Sequence, residues 1–175
     1  MYTGDNPTAL QSRKKIVKAM FSLLKQEDFS AITVKRLSQQ AQLSRQTFYM
    51  IFKNREEVIE WGLKTIFKEY QQALSATQAT KHQIIQLFFE FYQKHREIIN
   101  ALIDNHLENL LTKVSRECME ELNLLNKSNK YYIYGFISAG LTQLLTDWHR
   151  NKEEFPLAEL VSLTEELLGG DKLTD

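Results

Sequence analysis

The chain has 175 residues, of which 43% are hydrophobic and 25% charged, and this composition excludes an intrinsically disordered protein. Its formal net charge is zero, but the charge is unevenly distributed: residues 1–70 carry 12 Lys and Arg against 7 Asp and Glu, a net +5, whereas residues 71–175 carry 10 against 15, a net −5. The basic end could dock a polyanion, although an ordinary solvated helical surface explains the charge alone equally well.

Turn-forming residues are scarce, with two prolines and six glycines in the whole chain. Leu, Ile, Lys, Glu and Gln, which favour helices, are plentiful, so the sequence predicts an all-α fold. The start, MYTGDNPTAL, has no basic segment followed by an apolar one, and we expect a cytoplasmic protein. The single cysteine, Cys118, cannot form an internal disulfide, which agrees with that compartment.

The first 50 residues predict three helices. Asn6 and Pro7 are typical of a helix start, and this helix should end near Glu27. It should bury the apolar residues Ile16, Met20, Phe21, Leu23 and Leu24. Thr33 is the expected N-cap of a second, short helix, and Ser44 of a third that runs to Phe52. A turn of only three to four residues between the second and third helices is the spacing of a helix-turn-helix.

A long connecting helix is predicted next, with Asn54 as its N-cap and Glu56 and Glu57 in its first turn, where the helix dipole favours negative charge. Its end lies before the small and polar segment 74–80, a candidate loop. The remaining helices are predicted at 81–95, 96–122, 130–151 and from Pro156 to the glycines at 169–170, with a break at 123–129. We therefore expect a helix-turn-helix domain at 1–55 and a second helical domain at 56–175.

The segment 131–148 has one charge in eighteen residues and touches the length criterion for a membrane span. Thr142, Gln143, Thr146 and Asp147 fill one end of it, so a buried soluble helix is the preferred interpretation and no membrane is expected.

The third helix should have two different faces. Phe48, Ile51 and Phe52 turn inward, whereas Arg45 with Tyr49 and Gln46 with Met50 form two outward rows. Arg45 can fork onto guanine and Gln46 onto adenine in the major groove of DNA. Phosphate contacts are expected from side chains and from the helix starts at Thr33 and Asn54. The side chains predicted to meet DNA are Thr33, Lys35, Arg36, Ser44, Arg45, Gln46, Thr47, Tyr49, Met50, Lys53 and Arg55.

The stretch ITVKRLSQQAQLSRQTFYMIFKNREEVI resembles the N-terminal DNA-binding domain of the tetracycline-repressor (TetR) family of transcription regulators. Its most specific part is the Thr-Phe-Tyr-x-x-Phe-x-x-Arg-Glu pattern that begins at Thr47. The resemblance implies phosphate contacts by Tyr49 and Arg55, base reading by Arg45 and Gln46, and a homodimeric, effector-modulated regulator, usually a repressor, on a palindromic operator. Ile51, Gln42 and Ser38 depart from the family's usual histidine, glycine and alanine, and Gln42 puts a Cβ in a turn that glycine suits better.

Resemblance to one subgroup of the family also implies that the last two long helices pair across a twofold axis. Small residues that permit close helix approach and leucines that supply apolar area agree with this, although packing within the monomer is an alternative. The residues assigned to the dimer interface are Gly135, Ser138, Ala139, Gly140, Leu141, Leu144, Leu145, Trp148, Leu160, Leu163 and Leu167.

The helix at 81–95 carries more aromatic surface than one buried stripe needs. Either its side chains fill a solid core, or they line a cavity for a small, mainly apolar effector. The residues assigned to that cavity are Phe88, Phe91, Tyr92, Ile103, His106, Leu107, Leu110 and Tyr134. A protein partner on the acidic C-terminal surface is the alternative regulator.

Other functions find little support in the sequence. The four histidines are not spaced to place metal ligands on one helix face, and there is no glycine-rich phosphate loop, so we expect no enzyme, metal site or cofactor. A helical protein-interaction module that no longer binds DNA remains as a rival, but Arg45, Tyr49 and Arg55 are all present.

Overall fold

The computed structural model describes residues 7–75, 80–122 and 128–168, and every regular element in these ranges is an α-helix. The helices are α1 (Pro7–Leu24), α2 (Val34–Ala41), α3 (Arg45–Ile51), α4 (Arg55–Ser75), α5 (Lys81–Asp104), α6 (Glu108–Leu122), α7 (Lys130–Arg150) and α8 (Leu157–Leu167). The all-α prediction is confirmed. Helices α1–α3 pack together as an N-terminal unit, called the head below, and α4 runs from it into a body built from α5–α8.

The helix starts in the head follow from local side-chain chemistry. Thr33 accepts a hydrogen bond from the Arg36 N–H at 3.1 Å, and Ser44 accepts one from the Thr47 N–H at 3.0 Å. These bonds satisfy backbone donors that have no partner within the helix. The N-caps predicted at Thr33 and Ser44 are confirmed, and they fix where α2 and α3 begin.

The turn between α2 and α3 uses a left-handed residue. Gln42 has φ 56° and ψ 43°, and the Leu43 N–H donates to the Ser38 carbonyl at 2.9 Å, which closes the end of α2. A Cβ makes this backbone conformation less favourable than it is for glycine. The strain anticipated from the sequence at Gln42 is therefore present, and the turn keeps the geometry that places α3 next to α2.

One close helix crossing holds the head on α4. A Cβ added to Gly62 of α4 would lie 2.5 Å from Phe21 Cε2 and 2.8 Å from Val17 Cγ1, both on α1. Phe21 and Val17 belong to the buried core that runs without interruption from α1 into the body. Glycine at 62 therefore allows α1 and α4 to approach more closely than any other residue would permit.

The boundary between the two helices predicted at 81–95 and 96–122 is wrong. A single helix, α5, continues to Asp104, and the chain turns at 105–107 before α6 begins. His106 is left-handed, with φ 56°, and the Leu107 N–H donates to the Leu102 carbonyl at 2.9 Å. This backbone closure has no glycine to mark it, which is why sequence patterns missed it.

The other helices begin and end within a few residues of the predicted positions. Helix α1 ends at Leu24, before the predicted limit near Glu27, and α4 extends into the predicted loop as far as Ser75. The Asn6 cap, most of the predicted break at 123–129 and the glycines at 169–170 lie outside the described residues. None of the helices in the described ranges is long and apolar enough to cross a membrane.

A hydrogen-bonded junction ties the head to the body. Asn105, in the turn between α5 and α6, accepts a hydrogen bond from the Phe29 N–H at 2.6 Å and donates to the Leu24 carbonyl at 3.1 Å. It also donates to the Ala101 carbonyl of its own helix at 2.8 Å. One amide side chain thus joins the end of α1 and the following loop to the end of α5.

Changing Gly62→Ala should lower the free energy of unfolding by about 1–3 kcal/mol, because the new methyl group overlaps Phe21 and Val17 in a packed crossing. Urea denaturation of the single variants and of Gly62→Ala/Phe21→Leu gives the coupling between the two sites. The smaller side chain at 21 should relieve part of the overlap, so the double variant should lose less than the two single changes added together. Strict additivity would show that the crossing is not tight at this point.

Candidate nucleic-acid interface

The outward face of α3 is a compact group of exposed polar side chains above a buried base. Phe48 and Ile51 are buried on one side of the helix, and Phe52 is buried immediately after it. Arg45, Gln46, Tyr49 and Met50 are exposed on the other side, with Tyr49 at 62% and Met50 at 56%. The two faces predicted from the sequence are both confirmed, because the core packing of α3 fixes which side chains point outward.

Eight of the eleven side chains predicted to meet DNA are exposed. They are Thr33, Lys35, Ser44, Arg45, Gln46, Tyr49, Met50 and Lys53. Thr47 is half-buried, and its hydroxyl lies 2.9 Å from the Ser44 hydroxyl. The exposed set offers two cations at the ends of α3, Arg45 and Lys53, and hydrogen-bonding groups between them.

Arg55 does not occupy the position expected of a phosphate contact. Its Nη1 donates to the Phe29 carbonyl at 2.7 Å and to the Ile32 carbonyl at 2.5 Å, and its guanidinium lies 4.4 Å from the centre of the Phe29 ring. A charged donor satisfies two carbonyls of the loop between α1 and α2 in this way. The geometry assigns Arg55 to bracing the head.

Arg36 also forms an ion pair within the chain. Its Nη2 and Nε both bond one carboxylate oxygen of Glu27, at 2.7 and 3.0 Å. This pair joins α2 to the residues that follow α1, and it leaves Lys35 as the exposed cation of α2. The sequence signal was charge for Arg36, and charge together with the family resemblance for Arg55, and neither signal shows whether an arginine braces the fold.

Two backbone N–H groups near the start of α4 are already hydrogen-bonded within the chain. Asn54 accepts the Glu57 N–H at 2.8 Å, and the Glu57 carboxylate accepts the Lys53 N–H at 2.6 Å. Two backbone N–H groups that could have met a phosphate are therefore occupied, and the nearby carboxylate adds negative charge. The Asn54 cap is confirmed, and the phosphate contact expected at this helix start stays a prediction.

A cation–aromatic contact braces the end of α3. The Arg13 guanidinium of α1 lies 5.9 Å from the centre of the Phe52 ring and 5.6 Å from that of Trp61 on α4. It thus links three helices around the base of α3. Sequence reasoning missed this role, because the contact joins residues 39 and 48 positions apart.

A second surface, on α7, is apolar and exposed. Tyr132 is 77% exposed and Phe136 is 73% exposed, and Gly140 follows one turn later on the same row. Within the described ranges, no atom beyond the adjoining backbone of α7 lies within 4 Å of a Cβ added to Gly140. We call Tyr132, Phe136, Ala139 and Gly140 the apolar α7 face. The sequence analysis missed both aromatic residues, although their four-residue spacing from Gly140 could have revealed them.

The eleven predicted dimer residues fall into an accessible group, exposed or partly buried, and a group that is buried within the chain. Ala139, Gly140 and Leu167 are exposed, and Gly135, Leu141, Leu144 and Leu163 are partly buried. Four others lie in the core of the chain itself, where neighbouring helices cover them, in contrast to the expectation of an interface position: Ser138, Leu145, Trp148 and Leu160. For example, the Trp148 indole donates to the Phe155 carbonyl at 2.7 Å and its ring packs beside Tyr92.

The space predicted for an effector is filled by side chains. Seven of the eight assigned residues are buried: Phe88, Phe91, Tyr92, Ile103, Leu107, Leu110 and Tyr134. A void of about 10 Å³ remains beside Phe88, Phe91 and Tyr92, which is room for about one water molecule. Burial, followed by the charge of Glu153, raises the pKa of Tyr92 to about 12. His106 lies outside this core, because it is exposed in the left-handed turn after α5.

Two comparisons relate the sequence of this chain to regulators of transcription. Residues 79–170 match a TetR-type family model described as "Transcriptional regulator C-terminal region". Over 58 residues, 33% of this chain, the sequence is 36% identical to the HTH-type dhaKLM operon transcriptional activator DhaS of Lactococcus lactis subsp. lactis (strain IL1403). That match covers 31% of the curated relative, less than a third of its length.

Solved structures share the whole architecture. Lin0861 from Listeria innocua is similar with a TM-score of 0.81 at 19% identity, over 96% of this chain and 94% of that one. The TetR family repressor AlkX from Dietzia sp. strain DQ12-45-1b gives a TM-score of 0.55 at 19% identity, over 89% of this chain and 92% of that one. At these identities the likeness shows the fold alone.

Replacing Arg55 by alanine should lower the free energy of unfolding by about 2 kcal/mol, because the Phe29 and Ile32 carbonyls lose a charged donor. Lys53→Ala, two residues earlier and exposed, should change it by less than about 0.5 kcal/mol. Thermal or urea unfolding of both variants measures the difference. Equal stability of the two variants would contradict the bracing role.

Proposed function

Because the chain belongs to the TetR family of transcriptional regulators, we propose that it binds double-stranded DNA sequence-specifically through α3, as a homodimer on a palindromic operator, in the cytoplasm. The observation that supports this is the exposed row of Arg45, Gln46, Tyr49 and Met50 on a helix whose opposite face is core. Its relatives are named as regulators of transcription and not as enzymes.

The chemistry of α3 suits the major groove. Arg45 presents a planar fork that matches the O6 and N7 of guanine, and Gln46 can pair with N6 and N7 of adenine. Tyr49, Lys35 and Lys53 lie around these two residues as exposed phosphate ligands. Arg45 and Gln46 are both exposed, so core packing does not account for the choice of these two side chains.

The sign of regulation is proposed as repression, the usual mode implied by the family resemblance. One relative is named an activator and another a repressor. Both modes need the same head, and they differ in where the operator lies relative to the polymerase.

Dimerisation is proposed through α7 and α8. A two-turn helix offers few base contacts, so two copies on a palindrome give the affinity that one cannot. The apolar α7 face leaves two large aromatic side chains in solvent, and Gly140 stands in a helix interior, where it destabilises the helix by about 1 kcal/mol relative to alanine. A second copy that packs closely on this face would account for both features.

The filled body core favours regulation from the surface. Pockets for small ligands usually measure about 300–1,000 Å³, whereas the void here is about 10 Å³. An apolar effector between α5 and its neighbours therefore requires the body to open, and a protein partner on its surface does not. Any effector must still bind one arrangement of the heads better than the other. Titration of candidate proteins against a preformed DNA complex tests this second candidate; no change in DNA affinity with any of them would count against it.

Selection of bound duplexes from a random pool tests DNA reading, and two variants then separate base contacts from phosphate contacts. Arg45→Ala should weaken the enriched site by about 1–3 kcal/mol and relax its sequence preference. Lys53→Ala should weaken all duplexes alike and lower the salt dependence by about one unit. Failure to enrich any sequence would overturn the proposal, and equal loss of preference in both variants would overturn the assignment of roles.

Gly140→Glu should give monomers that bind the enriched duplex weakly, because two like charges would meet on the twofold axis proposed here. Sedimentation analysis reports the mass, and Gln72→Glu, an equal charge on an exposed part of α4, is the matched control and should remain dimeric. A dimeric Gly140→Glu variant would place the interface elsewhere.

A further inference from the structure

We infer that Met50 is a specificity-determining residue that recognises thymine through its 5-methyl group. This rests on the proposed function, since it concerns what α3 reads once it lies in the major groove. Met50 would add an apolar contact that the hydrogen-bonding side chains of α3 cannot make.

The exposure of Met50 is not explained by packing. Its neighbours Phe48 and Ile51 complete the buried face of α3, whereas 56% of Met50 remains exposed. Among residues 7–75, the exposed large hydrophobic side chains are Leu10, at 45%, and Tyr49 and Met50, which are more exposed. Tyr49 has a polar hydroxyl, so Met50 is the wholly apolar side chain on the outward face of α3.

Its position relates it directly to Gln46. The two residues are four apart and therefore lie on one row of the helix, separated by about 6 Å along the axis. Bases on one strand of DNA are about 3.4 Å apart, so side chains at this spacing reach positions within about two base pairs of each other. A helix that places Gln46 on adenine thus places Met50 over a neighbouring base edge.

The major groove offers one strongly apolar group for such a side chain. Thymine carries a 5-methyl group there, whereas the corresponding edges of the other bases are donors and acceptors. Methionine suits the contact because it is unbranched and can adjust three rotatable bonds to the methyl position.

Deoxyuridine substitution tests the contact, because it removes the methyl group and keeps the base pairing. In the duplex enriched from a random pool, each thymine is replaced in turn and the affinity is measured. We expect the wild-type protein to lose about fourfold at one position in each half-site, and about fifteenfold when both symmetric positions are changed. Replacement elsewhere should have little effect.

Two variants identify the side chain responsible. Met50→Ala should bind the thymine and deoxyuridine duplexes equally, while its affinity for the thymine duplex falls by about fifteenfold, because both subunits of the dimer lose the contact. Gln46→Ala should bind more weakly but keep the difference between the two duplexes. Circular dichroism should show that both variants are folded, because both substituted positions are exposed.

The outcomes separate this inference from the proposed function. If the wild-type protein discriminates among sequences but is insensitive to every methyl group, the role of Met50 is wrong and DNA reading stands. If the sensitivity persists in Met50→Ala, another side chain reads the methyl group and the inference is again wrong. If no sequence is enriched from the pool, the proposed function and this inference fail together.

Discussion

The backbone of Phe29 is the point on which the placement of the head depends. Its N–H donates to Asn105 of the body, and its carbonyl accepts from Arg55 at the start of α4. One residue in the loop after α1 is therefore held from two sides by elements that follow it in the chain. Since α3 packs on α1 and α2, the direction in which its reading face points is set by this junction. The Asn105 side chain thus joins the α5–α6 turn directly to the head.

The parts of the structure that sequence predicts well are those determined by near neighbours. The caps at Thr33 and Ser44 depend on residues three positions away, and the two faces of α3 follow from helical periodicity. The left-handed conformation of Gln42 could be predicted in the same way, because so short a turn requires that conformation whichever residue is present. For this reason most of the candidate DNA-binding side chains could be named before the structure was known.

The parts that escaped prediction join residues far apart in sequence. Charge suggested a DNA contact for Arg36, and charge with the family resemblance suggested one for Arg55. Glu27 and the carbonyls of Phe29 and Ile32 provide partners that only the fold brings near. The break after Asp104 carries no glycine or proline signal, and the close approach at Gly62 depends on the angle between two helices. Likewise, hydrophobic spacing identified the aromatic residues of α5 but contains no measure of how completely they fill the body.

The unequal charge of the two halves makes the whole molecule an electric dipole. The first 70 residues have a net charge of +5 and the remainder −5, so a duplex attracts one end and repels the other. If the chain binds DNA as proposed, such a field exerts a torque while the protein is still diffusing and turns the head towards the duplex before any base is touched. This orientation during approach would shorten the search for a productive encounter. The duplex would repel the acidic body, so the negative charge far from α3 would oppose binding through the wrong end of the molecule.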